Sequence, residues 1–231
     1  MAKPLPKKRH PHTPDCNLNN PKVEKVLRSS CTCGGNPLDA DDFSRIGLPR
    51  HLWGADISKV PSDVREKVSN YLKNLLKAKE SGGSLFLYGK PGVGKTGTGA
   101  VVLKEARAWG FTAYAITLAD LREAVRAHAS FDFEASIYER CRSVDFLLLD
   151  DVRETDIAEK FFTLNDTRGL LLSRQDRGLV TVVTSVLDLQ AWRKLDCAAL
   201  ADALYKSCIT LEVTGPDLRK AVVAAKNELL K

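Results

Sequence analysis

Residues Gly89-Lys90-Pro91-Gly92-Val93-Gly94-Lys95-Thr96 carry the spacing G-x-x-x-x-G-K-[ST], the pattern of a loop that cradles the phosphates of a nucleoside triphosphate. The chemistry explains the residue types. Glycines let the backbone curl until its N–H groups face phosphate oxygens. The start of the following helix adds partial positive charge. Lys95 is placed to reach the β- and γ-phosphates, and the Thr96 hydroxyl to bind Mg²⁺. Gly89, Pro91, Gly92, Val93, Gly94, Lys95, Thr96 and the adjoining Gly97 are the expected nucleotide-binding residues.

A second set of groups lies downstream. Phe146-Leu147-Leu148-Leu149-Asp150-Asp151 is an apolar run ending in two carboxylates. One acid at such a strand tip holds Mg²⁺, and the next orients or deprotonates the attacking water. Asp150 takes the first role and Asp151 the second; the alternative is a pair of ordinary turn residues at the strand end. Asp151 is one methylene shorter than a glutamate, which weakens its reach toward water. Thr184-Ser185 ends a further apolar run. Ser185 is a candidate catalytic group touching the γ-phosphate or the water; the alternative is a strand-terminal pair bonding to its own backbone.

These groups need strands to present them and helices to brace the strands. Ser84–Tyr88 reads as a buried strand entering the loop, and Thr96–Trp109 as the helix leaving it. Strands are expected at Thr112–Ile116, Val144–Leu149, Leu179–Thr184 and Cys208–Val213. Helices are expected at Leu118–Ala129, Glu134–Arg142, Ile157–Gln175, Asp188–Lys194, Ala198–Lys206 and Asp217–Leu230. Ahead of them, Ser62 is placed to cap a single helix with Val64, Val68, Tyr71, Leu72, Leu75 and Leu76 on one face, ending near Gly82-Gly83. Strands that are apolar throughout and alternate with helices predict an α/β fold, a parallel sheet covered on both faces. Ligands then sit beyond the carboxyl ends of the strands, where the glycine loop falls.

The chain has 231 residues, a formal charge of +6 and an isoelectric point near 9.0. That suits an anionic partner. No apolar run follows the basic N-terminus as a signal peptide requires, and none approaches the roughly 20 residues of a membrane helix. A cytoplasmic protein without a membrane partner is the expectation. The six cysteines are scattered, and thiols are expected in a reducing compartment. Residues 1–50 are rich in Pro, Asn and Lys and weakly periodic, an arm or small module; 51–231 form the α/β domain. His10, His12, Cys16, Cys31 and Cys33 exceed the four ligands that zinc needs. Cys16, Cys31 and Cys33 with His12 or His10 are the candidate zinc set; a flexible arm with free cysteines is the alternative.

With the loop, the paired aspartates, Arg174 ahead of Val180–Ser185, and Gly215-Pro216-Asp217-Leu218-Arg219 in this order, residues 50–231 resemble the DnaC/IstB-type AAA+ ATPases. Within that group they are most like bacterial and phage replicative helicase loaders. The resemblance implies a P-loop AAA+ fold, ATP and Mg²⁺ as ligands, and ATP hydrolysis. It implies delivery of a replicative ring helicase onto single-stranded DNA by a homo-oligomer or hetero-complex formed on ATP binding. It makes Thr184 and Ser185 a sensor after the fourth strand and Arg219 a second sensor on the nucleotide. Some relatives carry an N-terminal zinc module that grips the helicase. Two departures stand out. Val186 replaces a frequent Asn. Ala203 stands where relatives often carry an arginine that completes a neighbour's site, a group worth about 10³–10⁵ in rate; Lys206 or Arg193 would be the substitute. Slow or partner-stimulated hydrolysis follows from this. An IstB-like regulator of transposition and a nucleotide-dependent adaptor with little turnover are the other readings.

For nucleic acid, the basic residues to consider are Lys7-Lys8-Arg9, Lys104 and Arg107 on the helix after the loop, and Arg122 and Arg126 on one face of the next helix. Few aromatics interleave with them, so contact would run through the backbone and be salt-sensitive. Trp53 lies in the segment that covers the base in relatives; packing is the other role open to it.

Overall fold

The computed structural model describes residues 38, 40–128, 133–153, 162–195 and 197–220. Five strands form one sheet: β1 (Ser84–Tyr88), β2 (Ala113–Thr117), β3 (Phe146–Val152), β4 (Val180–Ser185) and β5 (Cys208–Glu212). Their order is β2-β3-β4-β1-β5, and every neighbouring pair is parallel. The helices are α1 (Ala40–Arg45), α2 (Ser62–Lys73), α3 (Leu75–Ser81), α4 (Lys95–Ala108), α5 (Leu118–His128), α6 (Phe133–Ser143), α7 (Phe162–Asp176), α8 (Leu189–Lys194) and α9 (Ala198–Ser207). Parallel neighbours need crossovers, which is why a helix stands between successive strands.

The apolar strands divide their side chains between two cores, because successive residues of a strand face opposite ways. Leu85, Leu87, Phe146, Leu148, Val180 and Val182 join α2 and α4 on one face. Phe86, Leu147, Leu149 and Val183 join Leu170, Leu171 and Trp192 on the other. Helix α4 is buried on almost every side. Gly99 allows this: a Cβ there would lie 2.6 Å from Leu148 Cδ1.

Several elements differ from the sequence expectation. The single helix expected from Ser62 is two, α2 and α3, separated by Asn74 at φ −105°, ψ 23°. The Asn74 side chain donates to the Asn70 carbonyl at 2.8 Å, the local bonding by which Asn competes with a continuing helix. Ser62 is the first helical residue and no side chain caps the turn before it; Pro61 holds that position. Gly82, in the left-handed region, closes α3. β3 runs on to Val152, through both aspartates. On the N-terminal side of residue 50, Leu38, Phe43, Ile46 and Leu48 are buried in the α2–α4 core, and the Ile46 carbonyl accepts from Ala115 N of the edge strand β2 at 2.8 Å. These spaced apolar residues sit in too short a stretch to show a period. Lys7–Arg9, the zinc candidates and residues 221–231, where the sequence predicts most of a closing helix, lie outside the described residues. Among the described residues no helix is long and apolar enough to cross a membrane.

Candidate nucleotide-binding site

The loop leaves β1 at its carboxyl end and enters α4 at Lys95. Gly89, Gly92 and Gly94 have φ of 145°, 82° and 103°. At Gly89 and Gly92 close approach adds to conformation: an added Cβ would stand 2.2 Å from the Val213 carbonyl and 1.9 Å from Asp217 Oδ1. Nothing lies within 4 Å of such an atom at Gly97. Val93 is buried and anchors the loop to the core, while Pro91 is exposed. Lys95 Nζ donates to the carbonyls of Gly89 (2.7 Å) and Lys90 (2.8 Å), bridging the loop from within. Burial holds its pKa below the ordinary lysine range, with Asp151 and Asp150 offsetting part of this and Arg219 adding to it. A cation in that position gains most from an incoming phosphate.

β3 and β4 slip out of register between Leu149 and Val152. Asp151 sits in this bulge at φ 58°, the only non-glycine residue with positive φ among those described, a conformation Asp tolerates better than most. Bulges re-aim side chains at strand ends, and here the two acids part company. Thr184 Oγ1 donates to Asp150 Oδ1 at 2.6 Å and accepts the Asp151 amide at 2.8 Å. Burial raises the Asp150 pKa, and hydrogen bonds from Thr184 and Thr96 offset part of the rise. Asp151 instead meets Arg153: Nε to Oδ1 at 2.8 Å and Nη2 to Oδ2 at 2.5 Å. The hydroxyl of Thr96 and the carboxylate of Asp150 are hard oxygen donors near enough for Thr96 to lower the Asp150 pKa, a set that fits Mg²⁺ together with phosphate oxygens and water.

The segment after β5 folds back over the loop. Val213 N donates to the Tyr88 carbonyl at 2.7 Å, and Leu218 N to the Gly92 carbonyl at 3.0 Å. Asp217 and Arg219 form a two-pronged pair, Nε to Oδ1 and Nη2 to Oδ2, both 3.0 Å. Thr214 N and Oγ1 donate to Asp63 Oδ2 at 2.7 and 2.8 Å, tying this segment to the start of α2.

Lys95, Thr96, Asp150, Asp151 and Arg219 therefore converge, as their sequence order implies for a parallel sheet. Ser185 does not face this group. Its buried hydroxyl donates to the Val152 carbonyl (2.9 Å) and accepts from Leu187 N (3.1 Å) and Trp192 Nε1 (3.2 Å). Of the Thr184-Ser185 pair, Thr184 is the residue against the acids. Lys104 and Arg107 are internal ties. Lys104 Nζ donates to the Trp53 and Ala55 carbonyls (2.7 and 2.6 Å), and Arg107 Nη2 pairs with Asp42 at 3.0 Å. Trp53 packs on Phe43 with ring centroids 5.5 Å apart and donates to the Leu48 carbonyl. Arg174 is buried whole and donates to the Cys141, Val144 and Val180 carbonyls and to Thr181; burial lowers its pKa to about 10. Ala203 is buried in the face of α9 that packs inward, and Arg193 is paired with Asp202 at 2.9 Å.

Arg153 carries a site contact that the motifs leave unmarked. It stands two residues beyond Asp151, whose bulged backbone turns the carboxylate toward it. The zinc candidates His12, Cys16, Cys31 and Cys33 fall outside the described residues.

No family model matches the chain, and no curated protein matches it. Solved structures do. The crystal structure of DnaI is 22% identical with a TM-score of 0.62, over 74% of this chain and 94% of that one. The DnaC helicase loader is 18% identical with a TM-score of 0.59, over 72% of this chain and 100% of that one. AMPPCP-bound DnaA from Aquifex aeolicus is 23% identical with a TM-score of 0.55, over 73% of this chain but only 52% of that one. These likenesses show the fold alone, an α/β fold around a parallel sheet.

Proposed function

We propose that the chain is an Mg²⁺-dependent ATPase of the DnaC/IstB type that binds single-stranded DNA and loads a replicative helicase. The observation that carries the nucleotide half is the meeting of the glycine loop and Lys95 at the end of β1 with Asp150 and Asp151 at the end of β3. The replication half rests on the likeness in fold to DnaI and to the DnaC helicase loader.

Main-chain N–H groups of residues 89–96 receive the phosphates. Lys95 exchanges the Gly89 and Lys90 carbonyls for β- and γ-phosphate oxygens. Thr96 and Asp150 would hold Mg²⁺, which neutralises charge on the phosphate oxygens. Asp151 orients the attacking water and takes its proton. Thr184 fixes both carboxylates, and Arg219, released from Asp217, meets the triphosphate from the far side. ATP binding favours the complex with the helicase, and hydrolysis releases it.

A nucleotide-dependent adaptor with little turnover is the second reading. The burial of Ala203, where an arginine finger is expected, favours it. ATP hydrolysis measured with and without single-stranded DNA and the helicase co-purified from the native cell separates the two. Stimulation by either supports the loader; nucleotide binding with no stimulation by both leaves the adaptor.

A further inference from the structure

We propose that Arg153 is a positioning residue that holds the Asp151 carboxylate away from the attacking water and so limits the chain's own rate of ATP hydrolysis. The proposal rests on the ATPase reading above. The guanidinium engages both oxygens of Asp151, Nε on Oδ1 at 2.8 Å and Nη2 on Oδ2 at 2.5 Å. This is the parallel two-bond match that arginine makes with carboxylates and lysine cannot. The backbone of Asp151 has little freedom to compensate: its N–H is fixed on Thr184 Oγ1 at 2.8 Å and its φ is 58°. What freedom the carboxylate has lies in its side-chain torsions, and Arg153 takes that up.

A water-orienting carboxylate has to turn an oxygen toward the water next to the γ-phosphate. In this arrangement it is turned along the strand, toward the residue two positions on. Asp150 and Lys95 are free of this restraint, so phosphate and metal binding do not require the pair to open. The restraint acts on turnover and not on affinity. Its strength is modest. The side chains of Arg153 and Asp151 are 58% and 41% exposed, and exposed pairs are worth little, so release gives a change of about threefold to fivefold in rate. Salt weakens such a pair by screening.

Steady-state hydrolysis and ATP binding are measured on the full chain and on Arg153→Ala, Arg153→Lys, Asp151→Asn and Arg153→Ala/Asp151→Asn. Arg153→Ala is expected to raise kcat about threefold to fivefold with KM unchanged, and Arg153→Lys by less. The gain is expected to vanish in the Asp151→Asn background. Moderate salt is expected to raise kcat of the wild type relative to Arg153→Ala. In nucleotide-free protein, the Arg153 Nε–H resonance is expected to exchange slowly with water and to lose that protection in Asp151→Asn. ATP binding with an unchanged or lower kcat in a folded Arg153→Ala overturns the restraint and leaves the ATPase reading standing. A gain that survives in the Asp151→Asn background also overturns it. A folded wild type that binds no ATP overturns the ATPase reading, and the restraint with it.

Discussion

Thr184 Oγ1 stands 2.6 Å from Asp150 Oδ1 and 2.8 Å from the Asp151 amide nitrogen. One hydroxyl at the end of β4 thus fastens two consecutive acids of β3 that the bulge has turned apart. The contact crosses between neighbouring strands, so it couples the sheet to the site directly. Thr184→Val should leave the Asp151 N–H and one Asp150 oxygen without this partner, at a cost of about 1–3 kcal/mol. It should also lower kcat at least tenfold, because both acids lose their aim. Thr184→Ser keeps the hydroxyl and should restore most of each. Thermal melts and steady-state hydrolysis on the two variants check this.

Ser185 gives the opposite expectation. Its hydroxyl is tied to Val152, Leu187 and Trp192 inside the core. Ser185→Ala should destabilise by about 1–3 kcal/mol through buried groups left unmatched, with kcat within about twofold of the wild type below its melting range, as for a residue outside the reacting groups. A loss of kcat in a folded Ser185→Ala protein would return Ser185 to the reaction.

Asp150 sets a pH dependence. Its folded pKa is raised by burial above the ordinary 3.8, so between those two values the folded chain holds a proton that the unfolded chain has lost. Stability from this group is therefore present below 3.8 and falls as pH rises through the folded pKa. Above that window the nucleotide-free protein carries a charge that costs it stability. Asp150→Asn should raise the melting temperature by roughly 2–4 °C at neutral pH, the shift about 1 kcal/mol gives in a chain of this size. The gain should shrink as pH falls toward 4, and Mg²⁺-dependent hydrolysis should be lost. Melting curves against pH, with hydrolysis at neutral pH, test both halves.

Lys104 and Arg107 should behave as structural cations. Lys104→Ala removes the donor to the Trp53 and Ala55 carbonyls and uncovers the Phe43 ring 5.1 Å from Nζ. It should destabilise by about 1–3 kcal/mol. Affinity for single-stranded DNA, measured at fixed salt, should stay within about twofold of the wild type, because a cation turned inward neutralises no phosphate. The same holds for Arg107→Ala, whose partner is Asp42.

The legibility of this chain follows physical range. Lys95, Thr96, Asp150 and Asp151 could be read because glycine spacing and strand-end acids are local patterns. The sheet could be read because β1, β3 and β4 each hold a buried run dominated by apolar residues. Strand ends such as Val152 were harder, since β3 continues through two aspartates that look like a turn. The break at Asn74 was hidden because the apolar face of α2 continues into Leu75 of α3. Lys104 and Arg107 looked solvent-facing because their partners, Trp53, Ala55 and Asp42, lie about fifty residues or more away in sequence. Ser185 and Thr184 are equivalent as letters, and only the register of β3 against β4 tells which meets the acids. Arg153 falls in no motif, and its role comes from the bulge that turns Asp151 toward it.

The central claim is that residues 89–96, with Asp150, grip a triphosphate. Titration calorimetry of the folded chain with ATP in excess Mg²⁺, alongside Lys95→Ala, tests it most directly. The account predicts saturable binding by the wild type, weakened at least tenfold in Lys95→Ala and in the absence of Mg²⁺. A folded wild type that takes up neither ATP nor ADP, or that binds as well without the Lys95 ammonium, would contradict it.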